Sequence, residues 1–317
     1  MITHKTTISL AGGLGNQLFQ LAAGLNLSKN TQLAIDVTLG HPRTSINGVA
    51  EVLNFRLPNN VVVLNSRKIS WLESKLGNLL LRISSRMKQN EKFCNFRSLM
   101  AVIVKKIFRL LFHPNENITI PRGVGFDKNL NFVNENSLLI GYFQSYKWAL
   151  DQNVKNVLNN LELLRDIPKL NEFKQLAVRE QPIVLHLRLG DYKEENKFGI
   201  PSIRYYEEAT KLLWETGNYK KIWLFSDDPE LARNMLPTWI IESGRWVDID
   251  NGASSSNLEV MRCGSAYVIS NSTFSWWGAY LSHTSNARVI APKPWFKFME
   301  EPAELLPKHW SRLQGWQ

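Results

Sequence analysis

Cysteine is nearly absent from this chain. Its 317 residues hold only Cys94 and Cys263, at no paired spacing, so neither a disulfide framework nor a cysteine-built zinc site is supported, and a reducing compartment fits. The six histidines are scattered and form no visible metal cluster. No uninterrupted apolar run approaches the roughly 20 residues of a membrane-spanning helix. Met1 to Gly13 lacks the apolar core and small-residue cleavage site of a secretory signal, so neither export nor a membrane span is expected. Acidic residues are the scarcer charge, 28 against 38 Lys and Arg, which leaves a formal +10. What is present is 44% hydrophobic and 21% charged residues, the composition of a folded globular protein, in a length that suits two domains.

The apolar pattern alternates between strand and helix periods. Thr7 to Ala11 reads as a strand, Asn16 to Lys29 as a helix and Gln32 to Val37 as a second strand, which makes a βαβ opening. Later, strand-like runs at Ile183 to Leu187, Lys221 to Phe225, Trp239 to Ile241, Tyr267 to Ser270 and Arg288 to Ala291 alternate with helical stretches starting near Ser202, Pro229, Ser256 and Thr273. The fold class is therefore α/β with a doubly wound parallel sheet. A boundary is expected between Asp166 and Gln181, where Pro168 and Pro182 bracket a polar helix, giving domains 1–170 and 171–317.

Four segments sit where a strand gives way to something else, and ligands on such sheets gather at the carboxyl ends of strands. Residues 271 to 279 read N-S-T-F-S-W-W-G-A; the amides of a helix start, with the hydroxyls of Ser272, Thr273 and Ser275, attract phosphate. The plainer reading is an N-cap followed by aromatic core. Residues 185 to 192 read L-H-L-R-L-G-D-Y. The planar fork of Arg188 suits phosphate oxygens, and Gly190 beside it lets a ligand approach the backbone, while an ion pair with Asp191 is the structural alternative. His186 alone in an apolar strand reads as a hydrogen-bonded core residue.

Residues 10 to 20, L-A-G-G-L-G-N-Q-L-F-Q, match neither a Walker loop nor the dinucleotide fingerprint. Three glycines between strand and helix permit close approach of a ligand, and the Asn16 and Gln17 amides suit sugar hydroxyls. In Ser226-Asp227-Asp228-Pro229-Glu230 the pair of aspartates suggests a metal, but Asp228 fits an N-cap and Pro229 the first helical position, leaving Asp227 as a candidate ligand contact.

In this order and spacing the four segments resemble the motif set of the family 11 glycosyltransferases, the bacterial and animal α-1,2-fucosyltransferases. The resemblance spans nearly the whole chain. It implies a GT-B architecture, two Rossmann-like domains facing across a cleft, and an inverting, metal-independent transfer of L-fucose from GDP-β-L-fucose to a hydroxyl of a galactose-containing or lipid-linked oligosaccharide. No cofactor and no metal are implied. Arg188 is then expected on the donor diphosphate and His186 near the nucleoside. Gly190, Asp227, Asn271, Ser272, Thr273, Phe274 and Ser275 complete that side. Asn16, with Gly13 and Gly15 in its loop, is expected to face the reaction centre. The family's usual R-R-G-D is here Arg188-Leu189-Gly190-Asp191, and its usual acidic residue before the double tryptophan is Asn257, with Glu259 close by. Glu259 is then the expected carboxylate for a guanine, if its helix turns it inward. The general base is open among Asp36, Asp191, Glu194 and Glu195; the resemblance to a more distant core-fucosylating relative, whose base follows the arginine motif on a loop, favours Glu194 or Glu195.

Residues 67 to 113 carry eleven Lys or Arg against Glu73 and Glu91, a balance of +9. Leu76 to Ile83 and Leu99 to Phe112 mix apolar residues and cations at helical intervals, as interfacial helices do. Contact with an anionic membrane is one expectation, a solvated insertion or a basic rim for the donor the others. Nucleic acid is not expected as a partner, because Trp71, Phe93, Phe96, Phe108 and Phe112 are spaced for a buried face. The animal relatives carry a membrane anchor, so the expected location is the bacterial cytoplasm, peripheral to the inner membrane.

Overall fold

The computed structural model describes residues 5–29, 31–38, 50–64, 70–87, 96–130, 133, 136–190 and 198–316, with backbone alone at 96 and 97. The chain divides into two compact units, Met1–Glu162 with Pro302–Leu306, and Leu163–Glu301 with Pro307–Gln317.

In the first unit the chain order is β1 (Lys5–Ser9), α1 (Leu14–Ser28), β2 (Gln32–Asp36), β3 (Val61–Val63), α2 (Trp71–Arg86), α3 (Phe96–Phe112), β4 (Asn117–Thr119), β5 (Ser137–Ile140) and α4 (Gln152–Asn159). The five strands form one parallel sheet in the order β3-β2-β1-β5-β4. The chain therefore reverses its direction of winding between β1 and β5, where Ser9 pairs with Asp36 on one side and Ile140 on the other. Val104 and Phe108 of α3 and Leu80 of α2 cover β4 and β5 through Ile118, Leu138 and Ile140. Residues 302–306 complete this unit from far along the chain: Phe126 N–H donates to Ala303 O at 2.9 Å, and Tyr146 N–H to Glu304 O at 3.2 Å.

The second unit runs α5 (Pro168–Glu180), β6 (Ile183–Leu187), α6 (Ile203–Thr216), β7 (Ile222–Ser226), α7 (Pro229–Met235), α8 (Thr238–Glu242), β8 (Gly244–Trp246), α9 (Ser254–Met261), β9 (Ala266–Val268), α10 (Thr273–Tyr280), β10 (Arg288–Lys293) and β11 (Ser311–Gln314). Its sheet is parallel throughout, in the order β11-β10-β9-β6-β7-β8. Counted within the unit, that is strand order 3-2-1-4-5-6 from β8, the doubly wound arrangement whose switch point lies between its first and fourth strands. Those strands are β6 and β9, joined by the pairing of Leu185 with Val268. β6 is buried on both faces, which its unbroken apolar run Ile-Val-Leu requires of a central parallel strand.

One expected strand is a helix. Trp239 to Ile241 lies in α8, and the strand follows at Gly244–Trp246; a three-residue apolar run has no period to tell the two apart, and Pro237 sets the preceding turn. Trp71, expected on a buried face, is 74% exposed at the start of α2, whereas Phe108 is fully buried. Phe93 lies outside the described residues.

Candidate functional site

The carboxyl ends of β6 and β9 hold the arginine and hydroxyl segments side by side. His186, next to last in β6, is 3% exposed, and its Nδ1 is hydrogen-bonded to Ser270 Oγ at 2.9 Å, which ties the two strands at the switch point. Its ring lies 5.6 Å from that of Phe274. Burial, and then the charge of Arg188, hold the imidazole down at about 3, so it is neutral at any physiological pH.

Arg188 leaves the sheet here and remains 28% exposed, with Nε 3.2 Å from Asp227 Oδ2. The same carboxylate receives the Leu189 N–H on Oδ1 at 2.8 Å and the Gly190 N–H on Oδ2 at 3.0 Å. Asp227, expected to touch the ligand, thus fastens the turn after β6 from the end of β7. Gly190 acquires a different reason from the one its sequence position suggested: a Cβ there would meet Asp227 Oδ2 at 2.8 Å, so the missing side chain makes room for the carboxylate. Leu189, where the resembled family has a second arginine, is fully buried in the core of this unit and supplies packing. Asp228 caps α7 by accepting the Leu231 N–H at 3.0 Å.

On the β9 side, Ser272 is the N-cap of α10, its Oγ accepting the Phe274 N–H at 3.3 Å, while Ser275 Oγ donates to Ser272 O at 3.2 Å and lies 3.5 Å from Ser270 Oγ. Thr273 and Phe274 are half-buried at the helix start, whose first-turn amides have no acceptor within the helix. Both tryptophans are core: Trp276 and Trp277 are fully buried, and Trp276 stacks on Tyr280 at 4.6 Å. The functional and the plain readings of this segment divide at Ser275. Asn271 does not face the helix start; its Nδ2 donates to the carbonyls of Phe198 and Gly199 at 3.1 and 3.0 Å. Asp191, Glu194 and Glu195 lie outside the described residues, between Gly190, fixed by Asp227, and Phe198, fixed by Asn271.

Glu259 turns inward, but to Arg262, whose Nη1 is 2.6 Å from its Oε1 with both residues buried. α9 leads back to the start of β9, and the Arg262 Nε donates to Leu281 O beyond the end of α10. This pair joins α9 to the end of α10, and in this structure Glu259 is engaged by Arg262. Asn257 instead holds the loop after β8, its Oδ1 accepting the Ile249 N–H at 3.2 Å.

In the first unit the glycine segment forms the turn from β1 into α1. The glycine that the backbone requires is Gly12, at φ +77°, where a Cβ would meet Asn16 Nδ2 at 2.5 Å; Gly13 is the N-cap at φ −74°, and Gly15 lies inside the helix. The Leu14 N–H donates to Glu51 Oε2 at 3.0 Å, so this helix start already faces a carboxylate. Asn16 Oδ1 accepts from Gln144 Nε2 at 2.8 Å, which brings Asn16 to the end of β5 at the switch point of this sheet. Gln144 is 8% exposed and its Oε1 has no hydrogen-bond partner among the described residues. Sequence reading missed Gln144, because no local pattern marks a glutamine after a short strand. Asp36 is buried and closes a local turn onto the Thr38 N–H at 2.9 Å. Among the described residues no group of three or more His, Cys, Asp or Glu is arranged to hold a metal ion.

The family model for glycosyl transferase family 11 matches residues 128–314, which include the arginine, aspartate and hydroxyl segments. The chain belongs to glycosyl transferase family 11. The alpha-1,2-colitosyltransferase of Escherichia coli is 23% identical over 317 aligned residues, covering 96% of this chain and 97% of that one. The O-antigen biosynthesis glycosyltransferase WbnK of Escherichia coli is 25% identical over 302 residues, 90% of this chain and 93% of its own. Among solved structures, the fucosyltransferase NodZ from Bradyrhizobium superposes with a TM-score of 0.51 at 13% identity, over 88% of this chain and 92% of that one. NodZ alpha-1,6-fucosyltransferase soaked with GDP-fucose gives a TM-score of 0.50 at 13% identity, over 94% and 99%. These likenesses show the fold, a GT-B-like mixed α/β architecture with two parallel sheets. This family 11 glycosyltransferase is thus related to fucosyltransferases and to a colitosyltransferase.

Proposed function

We propose that the chain transfers L-fucose, with inversion, from GDP-β-L-fucose to a galactoside hydroxyl, forming an α-1,2 linkage in O-antigen or related glycan synthesis. The observation that supports this reading is the placement of Arg188 beside the Ser272 helix start, at the carboxyl ends of β6 and β9. A diphosphate leaving group gains charge in the transition state, and a fixed guanidinium with helix-start amides stabilises that charge. Neutral His186 beneath the site adds no charge of its own. The acceptor hydroxyl loses its proton to a carboxylate, for which Asp191, Glu194 and Glu195 are the candidates, and Asn16 is assigned to positioning the sugar. The reading includes no metal.

Incubation with GDP-fucose and lactose, read as GDP release and as a fucosylated product, tests it. Transfer that persists in EDTA and is lost in Arg188→Ala supports the reading; no turnover of GDP-fucose with any galactoside sinks it. The likeness to the colitosyltransferase favours a second reading, in which nucleotide-activated colitose is the donor. A thermal-shift panel of nucleotide sugars separates the two.

A further inference from the structure

The helical hairpin of the first unit carries an apolar surface that the chain leaves uncovered. α3 buries one face, Ala101, Val104 and Phe108. On the opposite face Leu99, Val102, Ile103, Ile107, Leu110 and Leu111 are 58%, 60%, 44%, 41%, 66% and 57% exposed. Their spacing of three and four residues makes one stripe, about 18 Å long from Leu99 to Leu111. A soluble helix is polar on its outer face; this one is apolar on both.

Cations accompany the stripe, with Lys106 set within it between Val102 and Leu110. Lys106 and Arg109 of α3 and Lys75, Arg82 and Arg86 of α2 are all exposed. The sole acidic residue in the two helices, Glu73, is 2% exposed and lies 3.3 Å from His113 Nε2, so it adds no negative charge to the surface. The same contact places the first turn of α2 beside the last turn of α3. Trp71, 74% exposed, and Leu72, 44% exposed, therefore add exposed apolar surface at the same end of the hairpin as Leu110 and Leu111. Among the described residues no helix is long and apolar enough to cross a membrane. An apolar strip accompanied by cations, with an exposed tryptophan at one end of the hairpin, fits the boundary between acyl chains and anionic headgroups.

We propose that the outer face of the α2–α3 hairpin lies on an anionic membrane surface, with the α3 stripe in the acyl boundary and the α2 cations on the headgroups. The proposal stands apart from the identity of the donor.

The test uses the full chain in flotation with vesicles of phosphatidylcholine alone or with one third phosphatidylglycerol, without nucleotide. Binding is expected to the anionic vesicles and to weaken with salt. Arg82→Gln with Lys106→Gln is expected to lower partition at low salt roughly 30-fold. Val102→Ser with Leu110→Ser is expected to abolish it, with transfer to a soluble acceptor unchanged, which also shows that the variant folds. Equal binding to neutral vesicles, or none to either, overturns the proposal. So does a dimer in solution that the Val102→Ser, Leu110→Ser variant disperses, because a second copy is then the occupant.

Discussion

Removing the Asp227 carboxylate strips three donors of their acceptor at once: the Leu189 and Gly190 amides and Arg188 Nε. A hydrogen bond to a charged acceptor contributes about 1.5–3 kcal/mol where water is excluded. Asp227 and Arg188 are 23% and 28% exposed, so water replaces part of this, and the ion pair itself contributes about 1 kcal/mol or less. A combined loss of about 2–4 kcal/mol follows for Asp227→Ala. If the turn is needed in the transition state, that loss is a fall in kcat/KM of about 30- to 1,000-fold. Gly190→Ala should incur part of the same loss, since its Cβ would meet Asp227 Oδ2 at 2.8 Å. The decisive measurement is the cycle of the two changes, followed by thermal unfolding and by transfer rate. In the Asp227→Ala background the obstacle is gone, so adding Gly190→Ala should cost little, about 0.5 kcal/mol or less. Independent, additive losses, or an Asp227→Ala enzyme within twofold of the parent in both readouts, would falsify the assignment of Asp227 as the clamp.

His186, held at about 3 in the folded chain against an ordinary 6.5, favours the neutral form on folding. Its contribution is therefore complete above about pH 6.5 and is lost as pH falls towards 3. The urea midpoint should drop with pH across that window and drop less in His186→Asn; His283, held near 4 by burial and then by Arg262, titrates in the same range and supplies part of the remaining slope. Identical slopes in both proteins would rule His186 out. Gly12→Ala forces a left-handed residue and displaces Asn16, at a cost of about 1–2 kcal/mol in stability, with a larger loss of transfer than of nucleotide binding. Gln144→Ala should raise KM for the acceptor while leaving the donor Kd in place, a split that calorimetry and steady-state rates resolve; a change in donor affinity alone would contradict the placement beside Asn16.

The second sheet was legible because its central strands are long apolar runs bounded by glycine, proline and hydroxyl residues. Ile183–Leu187 matches its expected bounds, and Pro229 and Thr273 begin their helices where capping chemistry placed them. The three- and four-residue strands β3, β4 and β5 carry too little pattern to register, and α8 was misread for the same reason. At the candidate site, Arg188 and Ser272 came from strand-end position and residue type, and His186 from the family resemblance. Partners came less well, because they are set by the sheet order: that Asp227 reaches back to residues 189 and 190 follows from β7 lying beside β6, and that Glu259 meets Arg262 follows from the direction of α9. The same holds for Asn16 and Gln144, which stand 128 positions apart in sequence.

The return of residues 302–306 to the first unit has a bearing on synthesis. On the ribosome, the amides of Phe126 and Tyr146 wait for the carbonyls of Ala303 and Glu304 until most of the second unit has been added. The amino-terminal half thus matures last in one respect, and cutting the gene between the two units would yield a first half missing its own closing piece.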